Sequence, residues 1–198
     1  MFDAGAEFDR QALAYPALDQ DVLATLRASV LGHTEPPADG WVPFVLVVPE
    51  DPYESVPTLT LGGRKTKPGV VDRNYKEGEV TNFVPIKEVE ALIPEGPAYV
   101  LFDVQRGEEF CNVPPQDAME TIAGRGRTPI TIQEGVALVR AFPEILVKNK
   151  CFMLGGSRCG DRRVPAIWIS ENAPKLGWCW AGNPHTWLGT ASAGSRGA

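Results

Sequence analysis

The chain has 198 residues, 43% of them hydrophobic and 22% charged, enough apolar material for the core of a soluble globular protein. Its 19 Lys and Arg against 25 Asp and Glu give a net charge of −6, which argues against wrapping a nucleic-acid backbone. No apolar run approaches the roughly 18 residues of a membrane span, and MFDAGAEFDRQ lacks the basic start and apolar stretch of a secretory signal, so a cytoplasmic setting with reduced thiols is expected.

The 20 Gly and 18 Pro are spread along the chain, which predicts short elements joined by many turns within one domain. Residues 7–31 carry Leu13, Leu18, Val22, Leu26 and Val30 at helical spacing. Pro16 splits the run, Asp19 caps the main helix, and Gly32 ends it. His33 then reads as a surface histidine before the loop HTEPPADG. Residues 42–48 (VPFVLVV) form an almost unbroken apolar run, the signature of a buried strand stopped by Pro49. The tract 49–82 alternates turn residues with charge. Its GGRKTK at 62–67 lacks the glycine spacing and the ending of a phosphate loop, so a solvated turn is expected there.

A short helix is predicted over Pro85–Ile93, strands over Tyr99–Val104 and Phe110–Val113, and a helix over Pro115–Ile122. Thr131 with Glu134 three residues later is a capping box, followed by the apolar face Val136, Leu138, Val139 and Phe142 and stopped by Pro143. Capping accounts for Glu134 without a catalytic role. The last residues, GTASAGSRGA, are small and polar and read as a frayed tail, leaving an ordered core of about 10–190.

Cys151–Leu188 concentrates the chemistry: three of four cysteines, four of five tryptophans and His185. Gly155 and Gly156 introduce the polar loop Ser157-Arg158-Cys159-Gly160-Asp161-Arg162-Arg163, between a short strand and the strand 164–170. Glycine N–H groups and guanidinium forks are suited to a carboxylate or phosphate, and a salt-bridged turn is the plainer reading. In the strand 176–181 the two-residue period puts Trp178 and Trp180 on one face and Cys179 on the other. Asn183 lies in the next turn, and His185 follows it as a candidate acid, base or orienting group.

Cys151, Cys159, Cys179 and His185 are separated by seven, nineteen and five residues, with no close cysteine pair, so neither metal nor cofactor is expected. Nucleophilic catalysis by Cys159 or Ser157, with His185 as base and Asp161 as orienting group, has the residue types but no G-x-S-x-G elbow.

The motifs GSRCGDRRVPAIWIS (156–170) and LGWCWAGNPHTWLG (176–189) resemble the C-terminal signature of a family of uncharacterised actinobacterial proteins, a domain of unknown function. The similarity extends back through VPFVLVVP, FDVQRGEEFCNVPPQDAMETI and GRTPITIQEGVALV, about residues 10–192. It implies a bacterial, cytoplasmic, single-domain protein and transfers no activity, cofactor or catalytic residue.

The expected fold class is α+β: a mixed or mostly antiparallel sheet from residues 42–48, 99–104, 110–113, 151–154, 164–170 and 176–181, with helices packed on one side. The leading functional expectation is a binding or accessory protein for a small anionic or aromatic metabolite. Arg158, Arg162 and Arg163 would take the acid, with Trp178, Trp180 and Asn183 beside them. The alternatives are a cofactor-independent hydrolase, transferase or isomerase using His185 with Cys159 or Ser157, and a structural or protein-interaction domain. Partners are a small-molecule ligand, with neither nucleic acid nor membrane, and a homodimer is left open.

Overall fold

The computed structural model describes residues 2–63 and 65–198. Arg64, in the turn expected over 62–67, lies outside the described residues. In chain order the elements are α1 (Ala4–Ala12), α2 (Gln20–Val30), β1 (Trp41–Val47), α3 (Pro52–Ser55), β2 (Val70–Val71), β3 (Val84–Pro85), α4 (Lys87–Glu90), β4 (Tyr99–Gln105), α5 (Pro115–Gly124), β5 (Thr128–Pro129) and α6 (Ile132–Ala141). They continue with β6 (Cys151–Met153), β7 (Ser157–Arg158), β8 (Arg163–Ser170), β9 (Ala173–Trp180), β10 (Leu188–Thr190) and β11 (Ser192–Gly197).

The fold is α+β, with antiparallel and mixed sheets. The strands divide between two main sheets rather than one. The first is antiparallel, in the order β1-β4-β11-β5, and the second is mixed, in the order β10-β6-β8-β9-β2. β3 and β7 make a separate antiparallel pair. The first sheet is buried on both faces, which explains why β1 is apolar at almost every position. Phe44, Leu46 and Val100 pack under Phe8, Leu26 and Val30 of α1 and α2. Val45, Val47, Tyr99 and Leu101 turn the other way, into the core shared with α6 and the second sheet. Helices therefore cover both faces of this sheet, where the sequence suggests one.

α6 is the hub. Ile132, Val136, Leu138 and Val139 are all buried, and Gly135 allows Leu154 to approach so closely that a Cβ there would lie 2.3 Å from its Cδ2. A helix buried around most of its circumference cannot leave its N-terminus unsatisfied, and the capping box read from sequence is present. Thr131 Oγ1 accepts from Glu134 N at 3.2 Å, and Glu134 Oε2 accepts from Thr131 N at 2.7 Å.

Two expectations are corrected. Residues 110–113 are not a strand: Gly107 at φ 70 turns the chain into a 3-10 turn over Glu108–Phe110, and Asn112 at φ 66 bends it again before α5. A Cβ on Gly107 would lie 1.9 Å from Thr190 O, so the turn closes directly onto β10. The second correction concerns the tail. Residues 189–198 are not frayed, because β11 runs in the interior of the first sheet between β4 and β5. Its small residues reflect close packing: a Cβ on Gly194 would meet Asp103 Oδ2 at 2.9 Å, and one on Gly189 would meet Gly107 O at 2.1 Å.

Arg196 fixes that strand. Its Nε and Nη2 form a two-point ion pair with Glu134 at 2.5 and 2.8 Å, and its Nη1 donates to Thr128 Oγ1 at 2.6 Å. Both charged side chains are fully buried. Tyr99 Oη donates to Glu134 Oε1 at 3.0 Å, so the carboxylate that caps α6 also joins β4 and β11.

Candidate functional site

The glycines before the polar loop serve packing. A Cβ on Gly156 would lie 2.7 Å from the Ile130 carbonyl carbon, and one on Gly155 would lie 2.7 Å from Met119 Sδ. The nearby backbone donors are spent internally, Gly156 N on Ile130 O at 2.9 Å and Ser157 N on Leu154 O at 3.2 Å. Ser157 is fully buried, and its Oγ accepts from Ile132 N at 3.0 Å in the first turn of α6. The N–H groups of Gly156 and Ser157 are therefore not open to a ligand.

Those side chains gather at one end of the β8–β9 hairpin, whose turn residues Glu171 and Asn172 both have positive φ, 52 and 63, as a two-residue type I′ turn requires. Arg163 pairs with Trp180, and Pro165 with Trp178. The rings of Trp178 and Trp180 meet edge-on at 5.0 Å, as the two-residue period predicts. Trp180 remains 46% exposed, while the Trp178 indole N–H is buried without an acceptor.

The three arginines of the loop divide by role. Arg163 is fully committed: Asp161 Oδ2 lies 2.7 Å from its Nε, Glu79 Oε1 lies 2.9 Å from its Nη1, and its guanidinium sits 5.3 Å from the centroids of both Phe83 and Trp178. Burial pulls its pKa down, but the hydrogen bonds with Asp161 and Glu79 prevail and raise it above the ordinary arginine value. Burial also opposes ionisation of Asp161, yet hydrogen bonds from the Arg163 backbone and side chain hold it below the usual range.

Arg158 is different. It donates to Arg163 O at 3.4 Å and contacts Met119 Sδ at 3.4 Å, and no carboxylate pairs with it among the described residues. Burial lowers its pKa, the mark of a cation short of compensation. Arg162 is exposed, reaching toward Gly182, and likewise has no carboxylate partner among the described residues.

Cys159 sits beside Arg163, its Sγ accepting from Nη2 at 3.6 Å. Burial, followed by the neighbouring Asp161 carboxylate, raises its thiol pKa and keeps it protonated at neutral pH. Cys179, on the opposite face of β9, is pushed up to about 11 by burial. All four cysteines are free.

Asn183 is exposed in the turn after β9, where its N–H donates to Trp180 O at 3.0 Å. His185 belongs to another aromatic group. Its ring lies 5.6 Å from Trp187, which meets Trp168 edge-on at 6.0 Å. Trp168 lies over Gly177, where a Cβ would be 2.0 Å from its Cη2. By strand alternation that is the face of the hairpin opposite Arg163 and Trp178. Among the described residues no hydrogen bond joins His185 to Ser157, Cys159 or Asp161. Arg158, Cys159, Asp161, Arg163, Trp178 and Trp180 are thus brought together, with Ser157 and His185 employed elsewhere.

Glu79 and Phe83, which complete the setting of Arg163, come from the turn-rich tract that pattern reading leaves unassigned. Their partner is about eighty residues away, and no local signal connects them. Among the described residues no group of three or more His, Cys, Asp or Glu is placed to hold a metal ion, and no helix is long and apolar enough to cross a membrane.

No curated protein and no solved structure matches the chain. A family model does match, over residues 9–198, and the chain belongs to that family of unknown function, DUF5701.

Proposed function

We propose that the chain is a binding or accessory protein for a small acidic, aromatic metabolite, with Arg158 and Arg162 taking the acid and Trp178 and Trp180 the apolar part. The observation that carries this reading is the Arg158 guanidinium, largely withdrawn from water with no carboxylate to neutralise it. A partly buried cation held only by the Gly155 and Arg163 carbonyls lacks a counter-charge, and an incoming carboxylate supplies it through a two-point contact. Exposed Trp180, opposite Arg163 across the hairpin, offers a flat apolar surface, and the unpaired Trp178 N–H is one more donor. Arg163, Asp161 and Glu79 serve as the frame. The four free cysteines suit a reducing, cytoplasmic setting.

Titration with benzoate, indole-3-acetate and 4-hydroxyphenylacetate, followed by tryptophan fluorescence and calorimetry, tests the reading. At least one should bind saturably, and Arg158→Met should weaken it about 10- to 100-fold, the value of a charged hydrogen bond. Binding unchanged in Arg158→Met, or none across the panel, would overturn the assignment.

A further inference from the structure

A second polar centre lies where α1, the edge of β1 and α6 meet. It encloses a cavity of about 140 Å³ whose walls are kept back by Ala14, Ala137 and Ala141. At about 30 Å³ per water in the liquid, that volume is the scale of one phosphate or carboxylate group with a water or two.

Arg10 and Arg140 border it. Arg140 donates from Nη1 to Tyr15 Oη at 2.9 Å and to Glu50 Oε2 at 2.5 Å, and from Nη2 to Thr58 Oγ1 at 3.1 Å. Its Nε–H has no partner among the described residues. Arg10 uses Nε and Nη2 on Glu7 and Ala141 O, leaving Nη1 uncommitted. Tyr15, 7% exposed, only accepts from Arg140, so its own proton remains to be donated. Ser55, which is 3% exposed and has a hydroxyl with no hydrogen-bond partner, lies outside this cavity, in a cleft with Tyr15, Ala137 and Arg140 too tight to admit a water. Gln11 does not compete for the space: its amide closes the free edge of β1, donating to Phe44 O at 3.4 Å and accepting from Leu46 N at 2.7 Å. The donors without a protein partner at the cavity are therefore Nη1 of Arg10, whose side chain is half exposed, Nε of Arg140 and the hydroxyl of the buried Tyr15. All of them can donate, and both cations are close by. What they lack is an acceptor.

We propose that this cavity between α1 and α6 binds a small oxyanion, a phosphate or a carboxylate group, held by Arg10, Arg140 and Tyr15. The site is separate from the Trp180 face and independent of the function proposed there.

Inorganic phosphate and, in a second arm, acetate are titrated into the full chain by calorimetry and thermal shift, against chloride at equal ionic strength. At least one should bind saturably and raise the melting temperature. Arg140→Met should weaken binding at least tenfold and Tyr15→Phe several-fold, while Arg158→Met should leave it unchanged. Phosphate stabilises folded chains generally by exclusion from their surface, so an equal, non-saturating rise in wild type and Arg140→Met overturns the proposal. So does a response lost only in Arg158→Met. Tyr15→Phe removes one oxygen, and it carries the same comparison should Arg140→Met not fold.

Discussion

Replacing Arg196 with Met removes one partner of a fully buried ion pair and leaves the other in place. Glu134 would keep the N–H of Thr131 and the hydroxyl of Tyr99 but lose both guanidinium bonds, at 2.5 and 2.8 Å. Orphaning a buried charge in this way costs about 3–5 kcal/mol. That is a large share of the roughly 5–15 kcal/mol by which domains are stable. For a chain of 198 residues each kcal/mol moves the melting temperature by about 2–4 °C, so Arg196→Met should melt about 6–20 °C lower. Urea unfolding followed by tryptophan fluorescence measures the same loss as a lower midpoint with an unchanged slope. The double variant Arg196→Met with Glu134→Gln, which removes the orphaned charge and keeps an acceptor for the helix cap, should recover part of the loss. Deletion of residues 192–198 should be worse still, since it exposes the edge of β4 and removes β5's neighbour. A loss below about 1 kcal/mol in Arg196→Met, the scale of an exposed ion pair, would refute the claim that the C-terminal strand is locked through Glu134.

Two further predictions concern charge. Cys159, held protonated by burial and by Asp161, should alkylate with iodoacetamide at pH 7 more slowly than free cysteine; a faster rate would restore the thiolate nucleophile required by the enzymatic alternative. Arg106, fully buried, pairs with Asp39 and Glu108 and holds both carboxyls below their ordinary values of 3.8 and 4.5, through hydrogen bonds first and charge second. Lowered folded values mean that this stabilisation is complete above about pH 4.5 and is lost as pH falls through the folded values. Urea midpoints of wild type should therefore drop more steeply below pH 4.5 than those of Arg106→Met, and parallel acid limbs would show that the cluster contributes nothing.

What the sequence makes legible is local. Asp19, Thr131 and Glu134 announce helix starts because a cap is satisfied within three residues, and the structure has each bond. The run 42–48 announces a strand buried on both faces, and alternation places Trp178 beside Trp180. Long-range relations are hidden. The segment 189–198 looks disordered because it is made of Gly, Ala and Ser, but those residues are what a strand needs when Asp103 and Gly107 press against it. Low hydrophobicity has two physical meanings, exposure and crowding, and composition cannot separate them. Glu134 was likewise legible as a cap and illegible as an ion-pair partner, because Arg196 lies 62 positions away.

The same distinction separates scaffold from site among the arginines. Loop position groups Arg158, Arg162 and Arg163 together, but charge accounting parts them. Two carboxylates, Glu79 and Asp161, both spend themselves on Arg163, and two aromatic rings sit against its guanidinium. That arrangement ties the tract around residues 79–83 to the β8–β9 hairpin and fixes the orientation of Trp178. Three guanidinium groups against two carboxylates then leave this face positive on a chain whose net charge is −6. A local excess opposite in sign to the whole is not needed to stabilise the hairpin, for which Arg163 alone would suffice. Under the function proposed above, that excess would draw an anion, and the frame that Arg163 provides would reduce the ordering cost of binding one.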